Sequence, residues 1–253
     1  MSYSVQGRIE EEERIWRNQI AEYVKEVAPD DVAERLKVEA NLAAVHIRQK
    51  KYRDAVLLAK PASEEMARLR GEEDEATLAM RNILAVALDA SGHHRRAAQI
   101  FERNRLTQTR RKSPNLIGTL QNLETTRQKL NHWAEAVELD EEVLALMRER
   151  HGDTWHVFAA MNNLAVALFI DGNVARARAL NQEATENLTR LIGAENHLTR
   201  DVAQALKGPA IHEKRRRLMR RKLRTPALVV VVVALVLVVS AELNLFSSLQ
   251  FGW

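Results

Sequence analysis

Cysteine is absent from the 253-residue chain. Disulfides, a thiol nucleophile, thiolate metal ligands, prenylation and S-palmitoylation are thereby excluded. With 9 Gly and 5 Pro the chain is neither collagen nor a Gly/Pro low-complexity polymer. Aromatics are scarce at 5%, and Ala, Leu, Arg and Glu outnumber the β-branched residues, a balance that favours helix over sheet. No phosphate-cradling glycine loop, Gly-x-Ser-x-Gly elbow or His-Glu-x-x-His pair occurs. His93 with His94, and His151 with His156, lack the further ligands that zinc needs. The acid runs Glu10 to Glu13 and Glu72 to Glu75 suit helix starts, where carboxylates oppose the dipole. The expectation is a protein that is not an enzyme and has no cofactor or metal.

What is present is apolar (46%) and charged (28%) in amounts that permit a substantial core. The formal charge of +4 is an average over unlike segments. Between Lys207 and Arg224 nine Lys/Arg face one acid, Glu213, a net of +8. Beyond Arg224 the only charge is Glu242, which leaves residues 1–206 at −3. The body is slightly acidic, so nucleic acid is not an expected partner.

From Ala227 to Ala241 the chain is almost wholly Ala, Leu and Val. As a helix, Leu228 to Phe246 would extend about 28 Å, close to a bilayer's hydrocarbon thickness of about 30 Å. A buried valine-rich strand is the competing reading, but no other part of the chain offers a sheet to pair with. The basic tract Lys214, Arg215, Arg216, Arg217, Arg220, Arg221, Lys222 and Arg224 precedes this run, and nothing basic follows it. The positive-inside bias then places the N-terminal body in the cytoplasm. The tract can serve as a topology signal, bind anionic headgroups, or act in nuclear import or nucleic-acid binding, although no aromatic interleaves it. The N-terminus lacks the apolar core of a signal peptide. The layout expected is a single-pass, tail-anchored membrane protein.

Within residues 31–196 a pattern recurs four times. Asn41-Leu42-Ala43, Ile83-Leu84-Ala85, Asn122-Leu123-Glu124 and Asn163-Leu164-Ala165 each precede an Ala fourteen residues after the first position, at 55, 97, 136 and 177. Turns fall at Lys50-Lys51, Gly92, Asn131 and Gly172, where Gly or Asn accepts a positive φ after a helix end. Each copy thus reads as a helical hairpin, with breaks at Gly71, Ser113-Pro114, Gly152-Asp153 and Gly193. In the third copy Glu124 and Arg127, three apart, are placed to pair. Pro61 falls inside a second helix and predicts a kink or split there. The domains expected are an N-terminal cap (1–30), four hairpins (31–196), a closing helix with the polybasic tract (197–225) and a transmembrane tail (226–253).

The Asn-Leu-Ala runs, Gly92, Gly172, Trp133-Ala134-Glu135-Ala136 and Gly193-Ala194-Glu195-Asn196-His197 resemble the tetratricopeptide repeat in its longer, kinesin-light-chain-like form. That resemblance implies an all-α, right-handed solenoid of helical hairpins, here with one C-terminal transmembrane helix. It implies a groove lined by first helices that binds a protein or peptide partner. Carried over by position, the groove residues are Asn41, Asn122 and Asn163, with Asn82, Gln121, Asn162 and Lys37 beside them. Paired Lys/Arg for a terminal carboxylate are missing. The function expected is a membrane-tethered adaptor. The alternative is an accessory membrane subunit in which Glu242 itself acts within the span.

Overall fold

The computed structural model describes residues 32–223, together with Glu11, Arg14, Ile15 and Asn18. Within residues 32–223 ten helices follow one another: α1 (Val32–Arg48), α2 (Tyr52–Arg70), α3 (Glu75–Ala90), α4 (His94–Arg111), α5 (Leu116–Lys129), α6 (Trp133–His151), α7 (Trp155–Asp171), α8 (Val174–Ile192), α9 (His197–Gln204) and α10 (Pro209–Leu223). Two compact units divide the chain, 1–160 and 161–253. Among the described residues no helix is long and apolar enough to cross a membrane. The apolar run 226–253, Glu242 and Arg224 lie outside the described residues, as does most of the expected N-terminal cap.

All four hairpins close in the same way. The first helix ends on a residue of positive φ: Lys50 (62°), Gly92 (88°), Asn131 (63°) or Gly172 (122°). The next N–H reaches back to the helix: Lys51 to His46, His93 to Leu88, His132 to Arg127 and Asn173 to Leu168, each at 2.8–2.9 Å. This satisfies carbonyls that the helix end would otherwise leave bare. The same four residues then start the second helix, accepting from Ala55, Ala97, Ala136 and Ala177 at 3.0–3.1 Å. Those alanines are fully buried because a larger side chain would hold the two helices apart. Leu42, Leu84, Leu123 and Leu164 are buried as well, Leu84 in a cluster with Ala55 of the first hairpin and Leu123 in one with Ala97 of the second.

In unit 1 the first helices α1, α3 and α5 pack in succession, and the second helices α2 and α4 each pack against the first helix that follows. One core cluster joins Ala85, Ala97 and Phe101 to Leu120, Leu123 and Val143, so hairpins two and three share a single interior. Two smaller clusters, around Leu36 and Met66 and around Ala59 and Leu84, bind the first hairpin to the second.

Three local expectations change. Helix α2 runs unbroken through Pro61 rather than splitting. Pro61 and Leu57 both face solvent, so the ring and the carbonyl deprived of its donor intrude on no packed surface. Arg127 does not pair with Glu124; its Nε lies 3.1 Å from Glu135, and Glu124 instead accepts from Gln128. The single closing helix expected over 197–224 is two helices, since α10 begins afresh at Pro209. Proline suits a first helical turn, where its missing N–H has no intrahelical role.

Unit 2 is tied together by side chains. Asn181 donates from Nδ2 to Asn162 Oδ1 (3.1 Å) and to the Val202 carbonyl (2.8 Å), joining α7, α8 and α9. The Phe169 ring meets His212 edge-on at 5.1 Å, and the Arg215 guanidinium sits 5.6 Å above it. Leu218 is buried on the same face of α10.

Candidate functional site

The groove residues named from the sequence divide into two kinds. Asn41, Gln121 and Asn163 are exposed on α1, α5 and α7, free to meet a ligand. Lys37 is exposed too, with Nζ 2.7 Å from Glu34 on the same helix. Asn122 is half-buried, and its carbonyl accepts from Thr126. Asn82 and Asn162 are engaged inside the stack. Asn82 donates to Thr119 Oγ1 at 2.7 Å, bridging α3 to α5, and accepts from Asn104 Nδ2 at 2.9 Å. Within unit 1 Lys37 and Asn41 therefore lie on α1 and Gln121 on α5, with α3 packed between those two first helices. The fold gives Asn82 and Asn162 packing roles.

Sequence reasoning missed a second feature, a cleft of about 560 Å³ between the second helices α2 and α4 with α3 as its floor. Val56, Leu84, Leu88 and Ile100 give it an apolar base. Around them stand Lys60, Arg81, Arg96 and Arg103, against a single lining acid, Glu64. Two of the cations are held by Glu72, in the turn before α3. Arg81 pairs with its carboxylate and donates to its carbonyl at 3.0 Å, while Arg103 reaches the same carboxylate at 3.0 Å. The hydrogen bond from Arg81 holds the Glu72 carboxyl below its usual pKa. Lys60 and Arg96 are exposed on α2 and α4. The signal that could have revealed this cleft is the composition of α4, with six Arg to one Glu.

Beyond α4, a smaller recess of about 220 Å³ is lined mostly by acids. Arg105 there pairs with Glu102 (2.8 Å) and Glu142 (3.2 Å), alongside the Arg127–Glu135 pair.

Residues 157–198, spanning the fourth hairpin, match the tetratricopeptide repeat family. The fourth hairpin is thus similar to a tetratricopeptide repeat. The wider fold agrees. A Podosopora anserina putative kinesin light chain of nearly identical tetratricopeptide-like repeats superposes with a TM-score of 0.65 at 21% identity, covering 76% of this chain and 99% of that one. BtubC from P. vanneervenii gives 0.62 at 17% identity, over 86% and 93% of the two chains. A Rap protein complexed with competence and sporulation factor gives 0.54 at 13% identity, over 85% and 66%. No curated protein matches by sequence. The chain is thus an all-helical, tetratricopeptide-like repeat solenoid.

Two further groups of charges lie outside both recesses. In the third repeat Asp140 (5% exposed) and Glu124 (8% exposed) are buried together, with Asp140 Oδ2 unpartnered. Burial, and secondarily the Glu124 charge, pushes the Asp140 carboxyl up to about 8. In the basic tract, Lys214, Arg216, Arg217 and Arg220 are exposed, with Arg217 bonded to Glu213 at 2.9 Å. Arg215 turns inward onto Phe169, which leaves it poorly placed to meet a headgroup. Arg221 and Lys222 continue the helix. Among the described residues no cluster of His, Asp or Glu could hold a metal ion.

Proposed function

We propose that the chain is a non-enzymatic adaptor whose repeats hold a partner protein, tethered by residues 226–253 to a membrane with the repeats on the cytoplasmic side. One observation carries the adaptor reading. The four hairpins use identical alanine and leucine positions to pack, while the side chains turned outward differ from copy to copy. A surface assembled in this way varies at its contact positions and is constant beneath them, as partner recognition by repeat arrays requires. The structural neighbour complexed with competence and sporulation factor supports a binding role for this fold.

The tether rests on the sequence. Nineteen residues from Leu228 to Phe246 follow a tract of net charge +8, in the order that sets a cytoplasmic N-terminal side. The exposed Lys214, Arg216, Arg217 and Arg220 would meet anionic headgroups, at about 1 kcal/mol for each apposed cation.

Affinity capture with the full chain and with an Asn41→Ala/Asn122→Ala/Asn163→Ala variant tests the binding face. Loss of specific partners from the variant supports the first-helix groove. An unchanged partner set removes those residues from the account.

A further inference from the structure

The cleft between α2 and α4 has a composition that selects its occupant. It lies among the second helices, away from Lys37, Asn41 and Gln121 on the first. Its floor is Val56, Leu84, Leu88 and Ile100, and its lining charge is four cations to one acid. Lys60 and Arg96 stand on the two walls, each exposed and without an ion pair. Arg81 and Arg103 are already oriented toward a carboxylate, that of Glu72. The chain has therefore set Glu72 against Arg81 and Arg103, while Lys60 and Arg96 have no ion pair among the described residues.

We infer that this cleft docks an acidic, amphipathic segment of a partner protein, whose apolar side chains lie on Leu84 and Leu88 while its carboxylates meet Lys60, Arg96 and Arg103. The inference rests on the adaptor reading and adds a second contact surface with a stated chemistry. Charge complementarity chooses the sign of the partner. The apolar floor chooses a polypeptide over a nucleic acid, since none of the lining residues is aromatic and bases would have no stacking platform. Glu72 acts as a placeholder: it holds Arg81 and Arg103 in an anion-binding pose and competes with an incoming carboxylate for Arg103. Removing its charge strengthens docking.

The test is a random-peptide phage selection on the immobilised full chain, followed by fluorescence anisotropy with the enriched peptides. Enriched peptides rich in Asp and Glu with interspersed apolar residues are expected. Lys60→Glu/Arg96→Glu should weaken their binding about tenfold or more, whereas Glu72→Gln should tighten it several-fold. Both changes are on exposed positions, and circular dichroism checks that the helices persist. Acidic peptides that bind the charge-reversed variant unchanged overturn the cleft. If their binding falls only in Asn41→Ala/Asn163→Ala, the adaptor reading stands without the cleft. Enrichment of basic peptides, or displacement of the peptides by an oligonucleotide, overturns the assignment of an acidic protein segment. Absence of any enriched peptide counts against the cleft and the adaptor reading together.

Discussion

Asn104 donates its side-chain amide to Asn82 at 2.9 Å and to the Leu78 carbonyl at 2.9 Å, joining the two helices of the second hairpin through a fully buried side chain. Asn82 in turn donates to Thr119 on the next first helix. Asn104→Ala leaves the Leu78 carbonyl without this donor and opens a small void. We expect a loss of about 1–3 kcal/mol in chemical denaturation. Peptide binding below the transition should be unchanged, because none of Asn104, Asn82, Leu78 and Thr119 lines the cleft.

Lys50, Gly92, Asn131 and Gly172 occupy equivalent turns at positive φ. Only at Lys50 does a long L side chain bear the left-handed conformation. Lys50→Gly should stabilise by up to about 1 kcal/mol, and Gly92→Ala should destabilise by about that much. Gly172→Ala should cost more, since its added methyl would lie 3.0 Å from Met219 Cε. Thermal melts of the three variants give the order; equal effects would refute the turn equivalence.

Asp140 makes stability fall as pH rises. Its carboxyl is raised in the fold from 3.8 to about 8, so the folded chain keeps a proton that the unfolded chain releases. The penalty is absent below about pH 4, grows through the interval up to about 8 at no more than about 1.4 kcal/mol per unit, and is constant above it. Asp140→Asn should match the parent at pH 4 and melt several degrees higher at pH 8. Parallel pH profiles for the two chains would contradict this.

Arg215 and Arg216 are neighbours with different tasks. Arg215 lies over Phe169, whereas Arg216 is exposed. Arg215→Ala should lower the melting temperature with little effect on binding to vesicles containing phosphatidylserine. Arg216→Ala should weaken vesicle binding and leave the melt unchanged.

The hairpins were legible because packing demands the same residue at the same step. A buried Ala fourteen residues after each starting position, and a turn residue that tolerates positive φ, recur for steric reasons a single sequence can display. The roles of the asparagines were not legible. Asn41 and Asn82 look alike in sequence, and it is the approach of Asn104 and Thr119, 22 and 37 residues away, that engages the second of them. The cleft was hidden by arithmetic over too long a span. Residues 1–206 sum to −3, which conceals the six Arg of α4. Glu124 takes the place that Ala43, Ala85 and Ala165 hold in the other copies, but its buried neighbour Asp140 comes from the facing helix and carries no local signature.

The measurement that bears most directly on a membrane-tethered adaptor is a fractionated affinity capture comparing the full chain with one ending at residue 225. A tethered adaptor keeps the same partners in both, recovered from carbonate-washed membranes with the full chain and from the soluble fraction with the shortened one. A full chain found in the soluble fraction, or partners that vanish with the tail, would contradict it.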